Sequence, residues 1–205
     1  MEAVLGYAHG NDTGPVPGRE DGLAILHEFT DKPGLRAHAL AVESAMRAYA
    51  RRFAEDEEAW GLVGLLHDFD YERWPSRVDH PWRGSEILEA RGYPEWFRRA
   101  ILSHADYTGV RRETKLELAL FACDELCGFL TACALVTHGK SLREVTVKSV
   151  RKKMKSRSFA ASVSRDDIVH GAEQLGIDLD EHIEFVRDAM QSVAPRLGLA
   201  GGRGG

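Results

Sequence analysis

Cysteine is scarce in this sequence, long uncharged apolar runs are missing, and positive charge is not in excess. Each shortage excludes a class of protein. The three cysteines, Cys123, Cys127 and Cys133, are odd in number and lie close together. They cannot form a closed disulfide framework, which fits a reducing compartment. No second cysteine pair stands elsewhere to complete a zinc site, so the three are expected as small buried apolar residues. The longest uncharged apolar stretch runs only from Leu126 to Thr137, against the roughly 20 residues a membrane span requires. Glu2, Asp12 and Glu20 interrupt the first twenty residues, and no secretory signal is visible there. A soluble cytoplasmic protein without membrane contact is the expectation. Lys and Arg number 27 against 32 Asp and Glu, a net charge of −5, which argues against a protein that coats nucleic acid. No glycine-rich loop followed by Lys-Ser/Thr is present, nor a run of period-two strands, nor a repeat at 30–45 residues.

What is present is helical periodicity in a chain of 205 residues, a length that suits one domain. Residues 1–18 have turn composition and are expected as a flexible leader. Helices are expected over about Arg19–Phe29, Leu35–Ala54, Asp56–Asp68, Gly84–Ala90, Pro94–His104, Glu113–Thr137, Arg165–Leu175 and Leu179–Leu197. The stretch Arg73–Arg83 contains Trp74-Pro75 and His80-Pro81 and reads as loop. The fold class is therefore all-α. Residues 19–138 form the expected core, 139–198 a basic helical extension packed on it, and 199–205 a flexible tail.

Histidine is abundant, at nine residues, and four histidines with two aspartates stand in chemically suggestive places. His38 lies early in the second helix, His67-Asp68 ends the apolar run Gly64-Leu65-Leu66, His80 follows in Asp79-His80-Pro81, and His104 in Leu102-Ser103-His104. Asp124 sits inside the apolar segment Leu120–Leu126, with no Lys or Arg on that helix placed to pair with it. A buried carboxylate costs several kcal/mol unless it is paired or holds a metal. Adjacent side chains such as those of His67 and Asp68 point about 100° apart on a helix, yet near a helix end both can reach one cation. Mixed imidazole and carboxylate donors suit Mn, Fe, Co, Ni or Zn rather than Ca. His38, His67, Asp68 and Asp124 can hold one such ion, and His80 and His104, with Asp68 bridging, a second. Two ions about 3.5–4 Å apart can generate hydroxide and clamp both oxygens of a displacement at phosphorus.

The order His38, His67-Asp68, Asp124 resembles the HD-domain superfamily of metal-dependent phosphohydrolases. The segments His80-Pro81-Trp82-Arg83-Gly84-Ser85-Glu86-Ile87-Leu88 and Ala100-Ile101-Leu102-Ser103-His104 resemble its two-metal members. The resemblance covers about residues 20–135. It implies a helical core, divalent metals and phosphoester substrates, with Asp68 bridging the ions as the catalytic centre. Leu66-His67-Asp68-Phe69-Asp70-Tyr71-Glu72, together with Asp124-Glu125-Leu126-Cys127-Gly128 and Lys148-Ser149-Val150, is similar to a small bacterial subgroup. Asp70 stands where many relatives carry glycine. Gly92-Tyr93-Pro94 precedes His104 without the paired histidines found in enzymes that cleave cyclic di-GMP, so that substrate is not implied.

The segment Lys148–Arg157 is strongly basic. Lys148, Arg151, Lys152 and Lys155, with Arg165 further on, are candidates to hold substrate phosphates. Aromatic residues are nearly absent there, Phe159 being the exception, which disfavours a nucleic-acid partner. The expected function is hydrolysis of a phosphoester in a nucleotide or other small phosphorylated metabolite. A di-iron oxygenase is the alternative the resemblance also implies, because oxygenases of the superfamily use the same six-ligand pattern. A regulatory binding module is a third reading, and the presence of all six ligands weighs against it.

Overall fold

The computed structural model describes residues 16–201, so the greater part of the expected leader and residues 202–205 of the expected tail lie outside the described residues. Among the described residues the chain forms ten α-helices and no strand, as an all-α reading requires; the single β-bridge joins Ser141 to Ala200. Helix α1 spans Arg19–Phe29, α2 Pro33–Phe53 and α3 Glu57–Leu66. After a long turn region come α4 (Trp82–Ala90), α5 (Glu95–Ser103) and the central α6 (Lys115–Leu135). The C-terminal part adds α7 (Val147–Met154), α8 (Arg165–Leu175), α9 (Leu179–Ser192) and the short α10 (Ala194–Leu197).

Local chemistry sets these bounds. Pro33 opens α2, where a missing N–H costs nothing. Asp56 accepts from the N–H groups of Glu58 and Ala59 at 2.9 and 3.0 Å and caps α3. Thr114 and Glu117 form a reciprocal capping box at the start of α6. Among the expected helices that end early are the third and the last. The helix expected to continue through Asp68 stops at Leu66, and His67-Asp68 open the following turn. The helix expected over Leu179–Leu197 breaks at Val193, because Pro195 cannot continue the hydrogen-bond ladder and instead sits at the start of α10.

The core is built around α2 and α6. Helix α2 lies along α3 and against α6, α8 runs beside α6, and α9 touches both α2 and α6. Met46 and Tyr49 on α2, Leu65 on α3, and Leu126, Phe129 and Leu130 on α6 are all fully buried. Each contributes about 1.5–3 kcal/mol of transfer free energy. The three cysteines are buried free thiols within this core, as their spacing led us to expect. Helix α6 is long and apolar enough, by length and composition, to cross a membrane, a feature that counting uncharged runs overlooked because Asp124 and Glu125 interrupt it. Its apolar character on nearly every side is also what a helix enclosed by neighbours requires. Polar ties reinforce the packing: buried Glu43 on α2 accepts from Arg19 at 2.5 and 2.8 Å and from Arg47 at 3.0 Å.

Candidate metal centre

The six expected ligands come from five places in the fold. His38 is in the second turn of α2, His67 and Asp68 follow α3, His80 ends the turn region before α4, His104 caps α5, and Asp124 lies midway along α6. The turn carrying His67-Asp68 is tied down by its own residues. The Thr30 hydroxyl donates to the Phe69 carbonyl at 2.9 Å. The Glu72 carboxylate accepts from the N–H groups of Asp31 and Lys32, both at 2.9 Å, and so fastens the turn to the entry of α2, the helix that bears His38.

The structure brings the six side chains together in two groups that share Asp68, and the candidate ligand atoms of each group lie within 4.8 Å of one another. In the first group, His38 Nε2 lies 3.0 Å from Asp124 Oδ1 and 3.3 Å from His67 Nε2. His67 Nε2 is 3.4 Å from both Asp124 Oδ1 and Asp68 Oδ2. In the second group, Asp68 Oδ1 lies 3.2 Å from His80 Nε2 and 3.4 Å from His104 Nε2. Asp68 thus faces one group with each oxygen.

Three of the four imidazoles are fixed from behind. His67 Nδ1–H donates to the Gly64 carbonyl at 2.8 Å, and His104 Nδ1–H to the Ile101 carbonyl at 2.5 Å. His80 Nδ1–H donates to Asp70 Oδ1 at 2.8 Å. These bonds hold the protonated nitrogen outward and present each Nε2 lone pair to the centre, the arrangement metal-binding histidines commonly show.

The electrostatics point the same way. Burial alone would lower His67, but Asp68 and Asp124 outweigh it and hold the imidazole well above the usual histidine range. Burial would raise Asp68, yet the charge of His67 and the bonds from His104, His67 and His80 hold it well below the carboxylate range. Asp124 is held down in the same way by His67 and His38 against its own burial. Burial lowers His80, but bonds to Asp68 and Asp70 carry it up to about 9. The imidazoles and carboxylates balance one another through shared protons, and a bound cation would take the place of those protons. The donor set fits a divalent transition ion.

Around the second group stand residues that sequence reasoning did not single out. The Tyr71 ring meets the His80 ring edge-on with centroids 5.2 Å apart. Burial, with Asp68 and Asp70 nearby, pushes the Tyr107 hydroxyl up to about 12, and the Arg77 guanidinium lies over the Tyr107 ring at 5.3 Å. On the side of the first group, Glu125, beside Asp124, is pushed up to about 7 by burial and by the neighbouring charge.

None of the five basic candidates appears among the contacts of this centre. Lys148, Arg151, Lys152 and Lys155 are exposed, and Arg151 pairs with Asp180 of α9 at 3.3 Å. The Arg165 guanidinium is committed to the backbone carbonyls of Ser156, Phe159, Ala160 and Val163 and lies over the Phe129 ring at 4.9 Å. Arg77, in the loop before His80 and outside any basic run, was not among the sequence candidates.

Fold and site together define an α-helical protein with a histidine–aspartate cluster fit to hold a divalent metal. The model of the HD-domain family matches residues 35–127, the segment that contains all six ligands. Comparison with curated proteins and with solved structures gives no match. The HD-domain superfamily consists mostly of metal-dependent hydrolases, so divalent-metal binding and hydrolase-type chemistry are what the domain implies.

Proposed function

We propose that this protein is a metal-dependent phosphohydrolase acting on a nucleotide or a similarly small phosphoester. The observation that carries the reading is the pair of ligand groups sharing Asp68, one carboxylate oxygen to each. His38, His67, Asp68 and Asp124 would hold one ion, and Asp68, His80 and His104 a second. When bound, such ions supply Lewis acidity at oxygen and neutralise phosphate charge. The chain's own part is orientation. His67, His80 and His104 are held by their Nδ1–H bonds, and Asp68 by the imidazoles on both sides, so little rearrangement is needed as charge develops.

The rim beside the second group supports a nucleotide. Tyr71 and Tyr107 are each partly exposed and offer aromatic faces for a base. Arg77 supplies a guanidinium suited to phosphate oxygens. Lys148, Arg151, Lys152 and Lys155 are further candidates for phosphates that extend beyond this rim. A cytoplasmic location suits such a substrate.

The test is phosphate release from mono-, di-, tri- and cyclic nucleotides in the presence of Mn²⁺, with Asp68→Ala as the control. Selective release that disappears in Asp68→Ala, while the circular dichroism stays helical, is the expected result. Release that persists in that variant, or silence across the panel, overturns the reading. The four-histidine, two-aspartate donor set equally suits iron. An oxygenase is therefore the second reading, and O₂ consumption after anaerobic loading with Fe²⁺ would reveal it.

A further inference from the structure

The ligand histidines are oriented in two different ways. His67 and His104 each follow the last turn of a helix, and the backbone carbonyl three residues back accepts the Nδ1–H bond; the Ile101 carbonyl accepts the His104 backbone N–H as well, at 3.3 Å. His80 ends a turn region, and its Nδ1–H goes elsewhere. Asp70, ten positions earlier and fully buried, accepts it at 2.8 Å.

The other oxygen of Asp70 accepts the backbone N–H of Gly84 at 2.8 Å. Gly84 lies in the first turn of α4, and a Cβ there would fall 2.9 Å from the Asp70 carboxyl carbon and 3.0 and 3.1 Å from its oxygens. A side chain at position 84 is therefore incompatible with Asp70 where it stands. One carboxylate, gripped from two sides, joins the turn after His67-Asp68 to the loop that delivers His80.

We propose that Asp70 is a positioning residue for His80, and that occupancy of the second ligand group depends on it. The bond fixes the tautomer in which Nε2 carries the lone pair, and it aims that lone pair at the space shared with Asp68 and His104. A carboxylate partner also makes the imidazole a stronger donor to a cation than a carbonyl does. Asp70 is thereby the substitute for the helix end that His80 lacks.

Mn²⁺ binding followed by calorimetry and by metal analysis, with no substrate present, tests this independently of any phosphatase assay. The wild type is expected to take up two ions per chain. Asp70→Ala is expected to weaken the second by about 10–100-fold, the range typical of lost partners behind metal ligands. Asp70→Asn, which keeps an oxygen for His80 but sets an amide against the Gly84 N–H, should fall between the two. Gly84→Ala, which leaves Asp70 present but displaces it, should reproduce the loss. In a double-mutant cycle, Asp70→Ala should add nothing once His80→Ala has removed the residue it serves. The electron paramagnetic resonance signal of two exchange-coupled Mn²⁺ ions should vanish in the same variants. Wild-type affinity for the second ion in Asp70→Ala or Gly84→Ala would overturn the proposal, as would losses in Asp70→Ala and His80→Ala that simply add. If Asp70→Ala does not fold, Gly84→Ala and Asp70→Asn carry the same readouts.

Discussion

Tyr49 and His182 meet in the middle of the protein and link three helices. The Tyr49 hydroxyl donates to His182 Nδ1 at 2.6 Å, and His182 Nε2–H donates to the Ala122 carbonyl at 2.9 Å. Both nitrogens are used, one as acceptor, so the ring is neutral, and burial pushes its pKa below the usual histidine value. In the unfolded chain the same ring takes up a proton near pH 6.5. Below that pH the unfolded state binds more protons than the folded one, so His182 withdraws stability as pH falls toward its folded value. Urea unfolding at pH 7.5 and 5.5 should show a larger loss for the wild type than for His182→Gln. At pH 7.5 that variant should already be less stable by about 1–3 kcal/mol, because the Tyr49 hydroxyl loses its matched partner. A wild-type loss no larger than the variant's would refute the assignment. The six ligands were legible in the sequence as an ordered set of four histidines and two aspartates, Asp124 most plainly because it interrupts an apolar run, whereas His80, in a loop, was legible through the resemblance. Asp70 was visible only as a departure from relatives. Its bond to His80 closes across a turn region, and no periodicity reports such a contact.

Where α3 crosses α2, Gly64 lets the two backbones approach. A Cβ at this position would lie 2.9 Å from Met46 Cγ, 3.0 Å from the Val42 carbonyl oxygen and 3.1 Å from Glu43 Cα. Two of these atoms are backbone and cannot swing aside, so Gly64→Ala must spread the helices, at a cost of about 1–3 kcal/mol. Spreading α2 from α3 also separates His38 from His67. Thermal unfolding should therefore report a lower midpoint, and calorimetry a weaker first Mn²⁺ site. An unchanged midpoint would mean that the crossing tolerates a methyl group. At this scale the order and number of the main helices were legible from apolar spacing and breakers. Their ends were less so: the break at Val193 was signalled by Pro195, yet the apolar spacing of Val193 and Leu197 continued past it.

The match to the HD-domain family stops at residue 127, midway along α6, but the structure does not divide there. Ser164, the residue before α8, donates its N–H to Glu125 at 3.0 Å, and His182 of α9 holds the Ala122 carbonyl. Helix α6 is apolar on nearly all sides, so a chain ending near residue 140 would leave one of them bare. Such a truncation should bind hydrophobic dyes or precipitate, whereas the full chain should not; a soluble, cooperatively unfolding fragment would contradict this. Metal should stabilise the whole molecule, since the ligands from His38 to Asp124 span 86 positions and gather only when it is folded. An ion present at a hundred times its Kd adds about 2.7 kcal/mol, so chelator should lower the melting midpoint of metal-loaded protein and leave that of Asp68→Ala nearly unchanged. Asp68 faces the two groups with different oxygens of a single rigid carboxylate. An ion on one oxygen would fix the plane of that carboxylate for a second, so each ion would act as an effector of its neighbour. Thermodynamic reciprocity then requires the first ion to change the affinity for the second by the same factor as the second changes it for the first. If both groups take an ion, loading is expected to be cooperative or anticooperative rather than two independent events.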